Sequence, residues 1–204
     1  MRKTNELFIA NNFYHVYNRA VGSEKMFKQE KNYSYFLQKM QQYILPVADV
    51  YCYSLLPNHF HLLVRIKSEE IIESIFQSSK IKSLQAKYDI NRSLFIAEQF
   101  GNWCNAYTKA FNKMYNRKGK LFMDNLNRRK IDDEFYYTKI IHYIHANAVQ
   151  HGICKEIKDW LYSSYQILTG NTDTFLKRDE LMDWFGNKDA FIKFHQQPVE
   201  IKMK

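Results

Sequence analysis

From Phe60 onward the chain alternates: Phe60, Leu62, Val64 and Ile66 are apolar, and His59, His61, Leu63, Arg65 and Lys67 occupy the other phase. A period of two predicts a strand with its apolar face on a core. Pro57-Asn58 supplies a turn just before it, and residues 48–56 read as the partner strand of a hairpin. Phe13–Arg19 reads as an earlier strand, aromatic and β-branched, with His15 and Arg19 on one face and Val16 on the other.

Elsewhere the period lengthens to that of a helix. Residues 31–43 place Tyr33, Phe36, Leu37 and Met40 at helical spacing, and Pro46 closes the segment. Ser68-Glu69-Glu70 supplies a cap and first-turn acids for a second helix through Ile71, Ile72, Ile75 and Phe76. A third helix is expected over residues 97–115, after a patch from Asp89 to Ser93 with no clear period, and Leu121-Phe122-Met123 reads as a short strand. Asp132-Asp133-Glu134 opens a strongly marked helix that runs to His151 and stops at Gly152. Its core stripe is Tyr137, Ile141, Ile144 and Ala148; Tyr143 and Asn147, four apart, stand one above the other on the neighbouring stripe. The order of elements predicts an α+β domain over residues 1–168 and a helical C-terminal appendage over 169–204.

Composition narrows the function. At 204 residues the chain can bury a core without crosslinks, and Cys52, Cys104 and Cys154 lack the spacing of a zinc or redox motif. Their wide spacing, and a sequence without a signal peptide or an apolar run of membrane-spanning length, predict a soluble cytoplasmic protein with no membrane partner. A net charge of +9 with 16% aromatic residues suits a chain that holds phosphate backbone and stacks bases. The basic residues are densest from Lys113 to Lys130, where Asp124 is the single acid.

Two histidines one residue apart on a strand point the same way, about 6–7 Å apart at the base, close enough to share a divalent ion. Such a pair is more often two half-exposed polar groups, so the context decides. Adding the Asn147 amide oxygen gives His59, His61 and Asn147 as candidate ligands for Mg²⁺ or Mn²⁺, an ion that would polarise a phosphate attacked by Tyr143. Spacing alone leaves Tyr143 open between nucleophile and core packing. Tyr162, with Gln166 four residues on, is the other helical tyrosine so placed, and its neighbour Trp160 favours packing.

Five motifs occur together and in order: Tyr14-His15-Val16-x-x-Arg19, Pro57-Asn58-His59-Phe60-His61-Leu62-Leu63, Gly119-x-Leu121-Phe122, Tyr143-Ile144-x-x-Asn147-x-Val149-x-x-Gly152 and Asp159-Trp160-x-x-Ser163-Ser164-Tyr165. Over residues 12–168 the chain resembles the REP-associated tyrosine transposases, relatives of the single-tyrosine HUH transposases of single-stranded insertion sequences. The resemblance implies a ferredoxin-like antiparallel sheet with helices packed on it. It also implies His59, His61 and Asn147 as metal ligands, and Tyr143 as a nucleophile that forms a 5′-phosphotyrosine bond to hairpin-bearing single-stranded DNA. The chain departs from the family at Ala148, where proline is usual, and at Asn125-Leu126-Asn127, where an Arg-aromatic-Lys run is usual. Arg19, Arg65, Lys67, Arg128 and Arg129 are the candidate DNA contacts. A catalytically silent single-strand-binding regulator is the alternative reading, and both a monomer and a homodimer with exchanged tyrosine helices fit the sequence.

Overall fold

The computed structural model describes residues 6–78, 92–124 and 126–199; Asp89, Asn91 and Asn125 fall outside them. Four strands, β1 (Phe13–Arg19), β2 (Ala48–Leu56), β3 (His59–Ile66) and β4 (Asn127–Ile131), form one sheet in the order β2-β3-β1-β4. Every pairing is antiparallel. With helix α1 (Glu30–Tyr43) between β1 and β2, and helices α2 (Glu69–Ser78) and α3 (Arg92–Met114) between β3 and β4, this is the ferredoxin-like arrangement. The hairpin falls where Pro57-Asn58 placed it, with Leu56 opposite His59.

The two faces of the sheet are covered differently. On one, Phe60 packs against Phe36 of α1 and Trp103 of α3, and the Trp103 indole N–H donates to the Phe36 carbonyl at 3.0 Å. The other lies under helix α4 (Glu134–Gln150), which starts where the Asp133 carboxylate accepts from the Phe135 amide at 2.8 Å. It ends at Gly152, whose φ of 67° is the left-handed conformation that glycine adopts freely. Tyr137, Ile141, Ile144 and Ala148 are all buried along α4, as their spacing required.

Both sheet edges are covered. Outside β2, Leu55 N–H donates to the Tyr162 carbonyl (3.0 Å) and Ser164 N–H to that of Tyr53 (2.9 Å). Outside β4, the Glu6 carboxylate accepts from the Lys130 amide, and the Tyr14 hydroxyl ties down the Leu7–Ile9 backbone. The segment 162–164 thus pairs with part of the β2 edge, and the N-terminal residues lie along β4.

Two expectations shift. The last strand is Asn127–Ile131, whereas Leu121 and Phe122 bury their side chains beside it and make only a bridge from Phe122 to Ala20. A strand of sequence NRRKI has too little apolar alternation to announce itself; it forms because β1 offers a partner edge. Helix α3 starts at Arg92, five residues before the periodicity suggested. At the C-terminus, short helices α5 (Tyr165–Thr169), α6 (Arg178–Phe185) and α7 (Lys188–His195) follow, with Leu168, Leu176, Leu181 and Phe191 buried in the common core.

Candidate active site

His59 and His61 stand on the sheet face under α4, opposite Arg19 and Tyr17 of β1 and Leu56 and Ser54 of β2. The turn that delivers them is pinned from outside: the Asn58 carbonyl accepts from Ala20 N–H at 2.8 Å and the Pro57 carbonyl from Phe27 N–H at 3.1 Å. Helix α4 then lowers Tyr143 and Asn147 onto the pair. The Tyr143 ring meets His61 edge-on at 5.5 Å between centroids, and His59 Nε2 lies 2.8 Å from Asn147 Oδ1. The four residues that the sequence singled out as catalytic or ligating therefore converge.

The electrostatics suit ligation by neutral imidazoles. Burial holds His59 below the usual histidine range, with the Asn147 contact pulling upward and His151 and Arg19 adding to the depression. His61 is held well below it, by burial first and then by His15, His59 and His151. Burial raises the Tyr143 phenol, an effect that Asn147 opposes.

His59 bears on the metal question directly. Its Nδ1 faces Asn58 Oδ1 at 2.7 Å while its Nε2 faces Asn147 Oδ1 at 2.8 Å. A neutral imidazole has one N–H and can donate to one of those oxygens only. When it donates to Asn58, the Nε2 lone pair and the Asn147 carbonyl oxygen meet with no proton between them. Their 2.8 Å spacing is close to that of adjacent ligands on an octahedral ion with bonds of about 2.1 Å. Without an ion, turning the Asn147 amide over relieves the conflict, because Nδ2, which is buried and without a hydrogen-bond partner, then donates to His59. The donor set thus fits a hard divalent cation. Among the described residues no group of three or more His, Cys, Asp or Glu is placed to hold a metal, so a site here consists of two imidazoles and an amide oxygen.

The basic residues do not converge in the same way. Arg19 is exposed and directly across the strands from His59. Arg129 pairs with His15 and so shares the histidine face, where its guanidinium lies 4.6 Å from the Tyr136 ring centroid. Arg128, its neighbour in the strand, points to the opposite face; it is stacked on Phe8 at 4.6 Å and its Nε donates to the Glu6 carbonyl. Arg65 and Lys67 sit at the far end of β3. Arg65 pairs with Glu180 (3.0 Å) and Asp49 (3.5 Å), and Lys67 with Asp49 (3.1 Å).

Two histidines given no part in the chemistry turn out to be organising elements. His15 is fully buried, with Nε2 2.9 Å from His61 Nδ1. His145, on α4 between Tyr143 and Asn147, reaches His195 of α7 (2.8 Å) and Ser164 Oγ (2.9 Å). His195 Nδ1 faces the Phe191 carbonyl at 2.8 Å, which can only accept. With neutral rings, His195 donates to Phe191 and His145 to His195, which leaves the His145 Nε2 lone pair facing Ser164 Oγ; the Tyr53 carbonyl, at 3.2 Å, is the other acceptor within reach of that hydroxyl. The Tyr162 ring stacks on Tyr33 at 3.5 Å and 4°, which accords with its reading as packing.

No family model and no curated protein sequence matches the chain. Among solved structures, one of a REP-associated tyrosine transposase bound to a REP hairpin superposes with a TM-score of 0.55 at 16% identity, covering 85% of this chain and 95% of that one. The chain thus has the α+β fold of that transposase, a four-stranded antiparallel sheet with helices packed on it.

Proposed function

We propose that the protein is a metal-dependent strand transferase for hairpin-bearing single-stranded DNA, with Tyr143 as the nucleophile. The observation that carries the reading is the contact of His59 Nε2 with Asn147 Oδ1, one helical turn beyond a tyrosine set edge-on to His61. The fold shared with a transposase bound to a REP hairpin supports hairpin DNA as the substrate class. His59, His61 and Asn147 would hold Mg²⁺ or Mn²⁺, which when bound polarises the scissile phosphate and offsets charge on its non-bridging oxygens.

The protein's own part is nucleophilic. Tyr143 Oη bonds to phosphorus as the P–O3′ bond breaks; the phenol gives up its proton and the departing 3′ oxygen takes one up. The DNA is left joined to Tyr143 through its 5′ phosphate. Attack by a 3′-OH reverses the step, so rejoining needs no nucleotide cofactor. Arg19, exposed beside His59, and Arg129, on the same face, are the proposed phosphate contacts.

A second reading, a binding protein without catalysis, draws on one observation: Tyr143 is only 5% exposed, and burial raises its pKa. Labelled hairpin oligonucleotides incubated with Mg²⁺ or Mn²⁺ separate the two. The transferase gives a denaturation-resistant adduct that is absent from Tyr143→Phe and His61→Ala. Tight binding without an adduct, for hairpins taken from the DNA around the protein's own gene, supports the binding protein instead.

A further inference from the structure

His15 is buried completely under α4, its ring held between aromatic neighbours. Tyr17 stacks on it at 4.8 Å and on His61 at 5.5 Å, while the Tyr143 ring meets both histidines edge-on, at 6.1 Å and 5.5 Å. The two imidazoles lie within 14° of parallel and are joined by the 2.9 Å contact from His15 Nε2 to His61 Nδ1. Packing on both sides blocks ring rotation, so the pair's remaining freedom is the position of its protons.

One proton lies between the two nitrogens, and two neutral arrangements exist. In the first, His15 Nε2–H donates to His61 Nδ1, the proton of His61 sits on Nε2, and that nitrogen has no lone pair to give. In the second, His61 Nδ1–H donates to His15 Nε2, and His61 Nε2 is free to ligate. His15 Nδ1 is buried and has no hydrogen-bond partner. It is a bare lone pair in the first arrangement and an unpaired N–H, the costlier of the two, in the second. The protein alone therefore favours the arrangement in which His61 cannot bind an ion.

We infer that His15 is a positioning residue: it accepts the Nδ1 proton of His61, so that a divalent cation entering the site switches both rings together and exposes His61 Nε2 as its ligand. The inference rests on the metal reading of His59, His61 and Asn147. An outer partner of this kind fixes the tautomer of a ligating histidine and is commonly worth 10- to 100-fold in metal affinity. In a glutamine side chain the amide oxygen can stand where His15 Nε2 stands; phenylalanine fills the space and accepts nothing.

The test measures Mn²⁺ binding by calorimetry for the wild type, His15→Phe and His15→Gln, alongside ¹⁵N-imidazole spectra of the wild type with and without Mg²⁺. Thermal unfolding and hairpin affinity show that each variant is folded. The expected result is affinity about 10-fold or more weaker in His15→Phe, recovery in His15→Gln, and a His61 proton that moves from Nε2 to Nδ1 as Mg²⁺ is added. If the wild type binds Mn²⁺ and folded His15→Phe binds it as tightly, or the His61 proton stays where it was, the role of His15 is wrong while the metal site stands. If the wild type binds no ion, the metal reading itself fails, and this inference with it.

Discussion

The two faces of the sheet are built from the same strands and do opposite work. Beneath α1 and α3, Phe60, Phe36, Trp103 and Tyr107 interlock as aromatic edges and faces, and the one indole N–H among them has a partner. Beneath α4, every second position of β1 and β3 near the turn is polar: His15, Tyr17 and Arg19 against His61 and His59. That face buries several polar atoms with no hydrogen-bond partner, among them His15 Nδ1, Asn147 Nδ2 and the Oγ of Ser54, which lies opposite His61. A core that only had to be stable would not keep them. The first face supplies the rigidity, and the second holds donors and acceptors a few ångströms apart, as the proposed site for an ion and a phosphate would require.

The largest expected effect breaks the first face. Trp103→Ala should cost about 3–5 kcal/mol in denaturant unfolding, because it empties a fully buried indole site. Asn147→Ala should cost less, about 1–3 kcal/mol for the loss of its buried hydrogen bond with His59, yet abolish the adduct. Equal destabilisation by the two substitutions would remove the distinction between the faces.

Acid should act on the second face next. His15 and His195 are held down to about 3 by burial, against an ordinary value of 6.5, and His61 and His145 are also well below it. The unfolded chain binds more protons than the folded one between those values, so stability is full above pH 6.5 and falls as pH drops toward 3. Each such histidine costs up to about 1.4 kcal/mol per pH unit in that window. Thermal unfolding followed from pH 7.5 to 4.5 should show a steep fall beginning near 6.5; a flat profile down to pH 5 would contradict neutral buried rings.

Smaller effects sharpen the picture. His195→Phe leaves the His145 N–H without its acceptor and should cost about 1–3 kcal/mol, loosening the helix that carries Tyr143. Arg19→Ala should weaken hairpin binding and reduce its salt dependence by about one counterion. Arg65→Ala, whose partners Asp49 and Glu180 are partly exposed, should change stability by about 1 kcal/mol or less, and hairpin binding less than Arg19→Ala does. Filter binding across a salt series distinguishes the two arginines.

Much of this was legible in the sequence because it is local. Period two gave β1 and the hairpin, period 3.6 gave α1, α2 and α4, and the spacing of Tyr143 and Asn147 put them on one stripe. What escaped depends on partners far along the chain. β4 is a strand through its pairing with β1, far earlier in the chain, and its own pattern is mostly charge. Nothing near His15 or His145 in sequence names His61 or His195, 46 and 50 residues away, as its partner. Alternation could have separated Arg128 from Arg129, since neighbours in a strand face opposite ways.

The most direct test of the central claim is peptide mapping of the covalent product. Trypsin cutting after Lys139 and Lys155 releases residues 140–155, in which Tyr143 is the only tyrosine. After reaction with a hairpin oligonucleotide and Mn²⁺, followed by nuclease digestion, that peptide should carry a 5′-phosphonucleotide on Tyr143. A nucleotide found instead on the peptide with Tyr162 and Tyr165, or on none, would contradict the assignment of Tyr143 as the nucleophile.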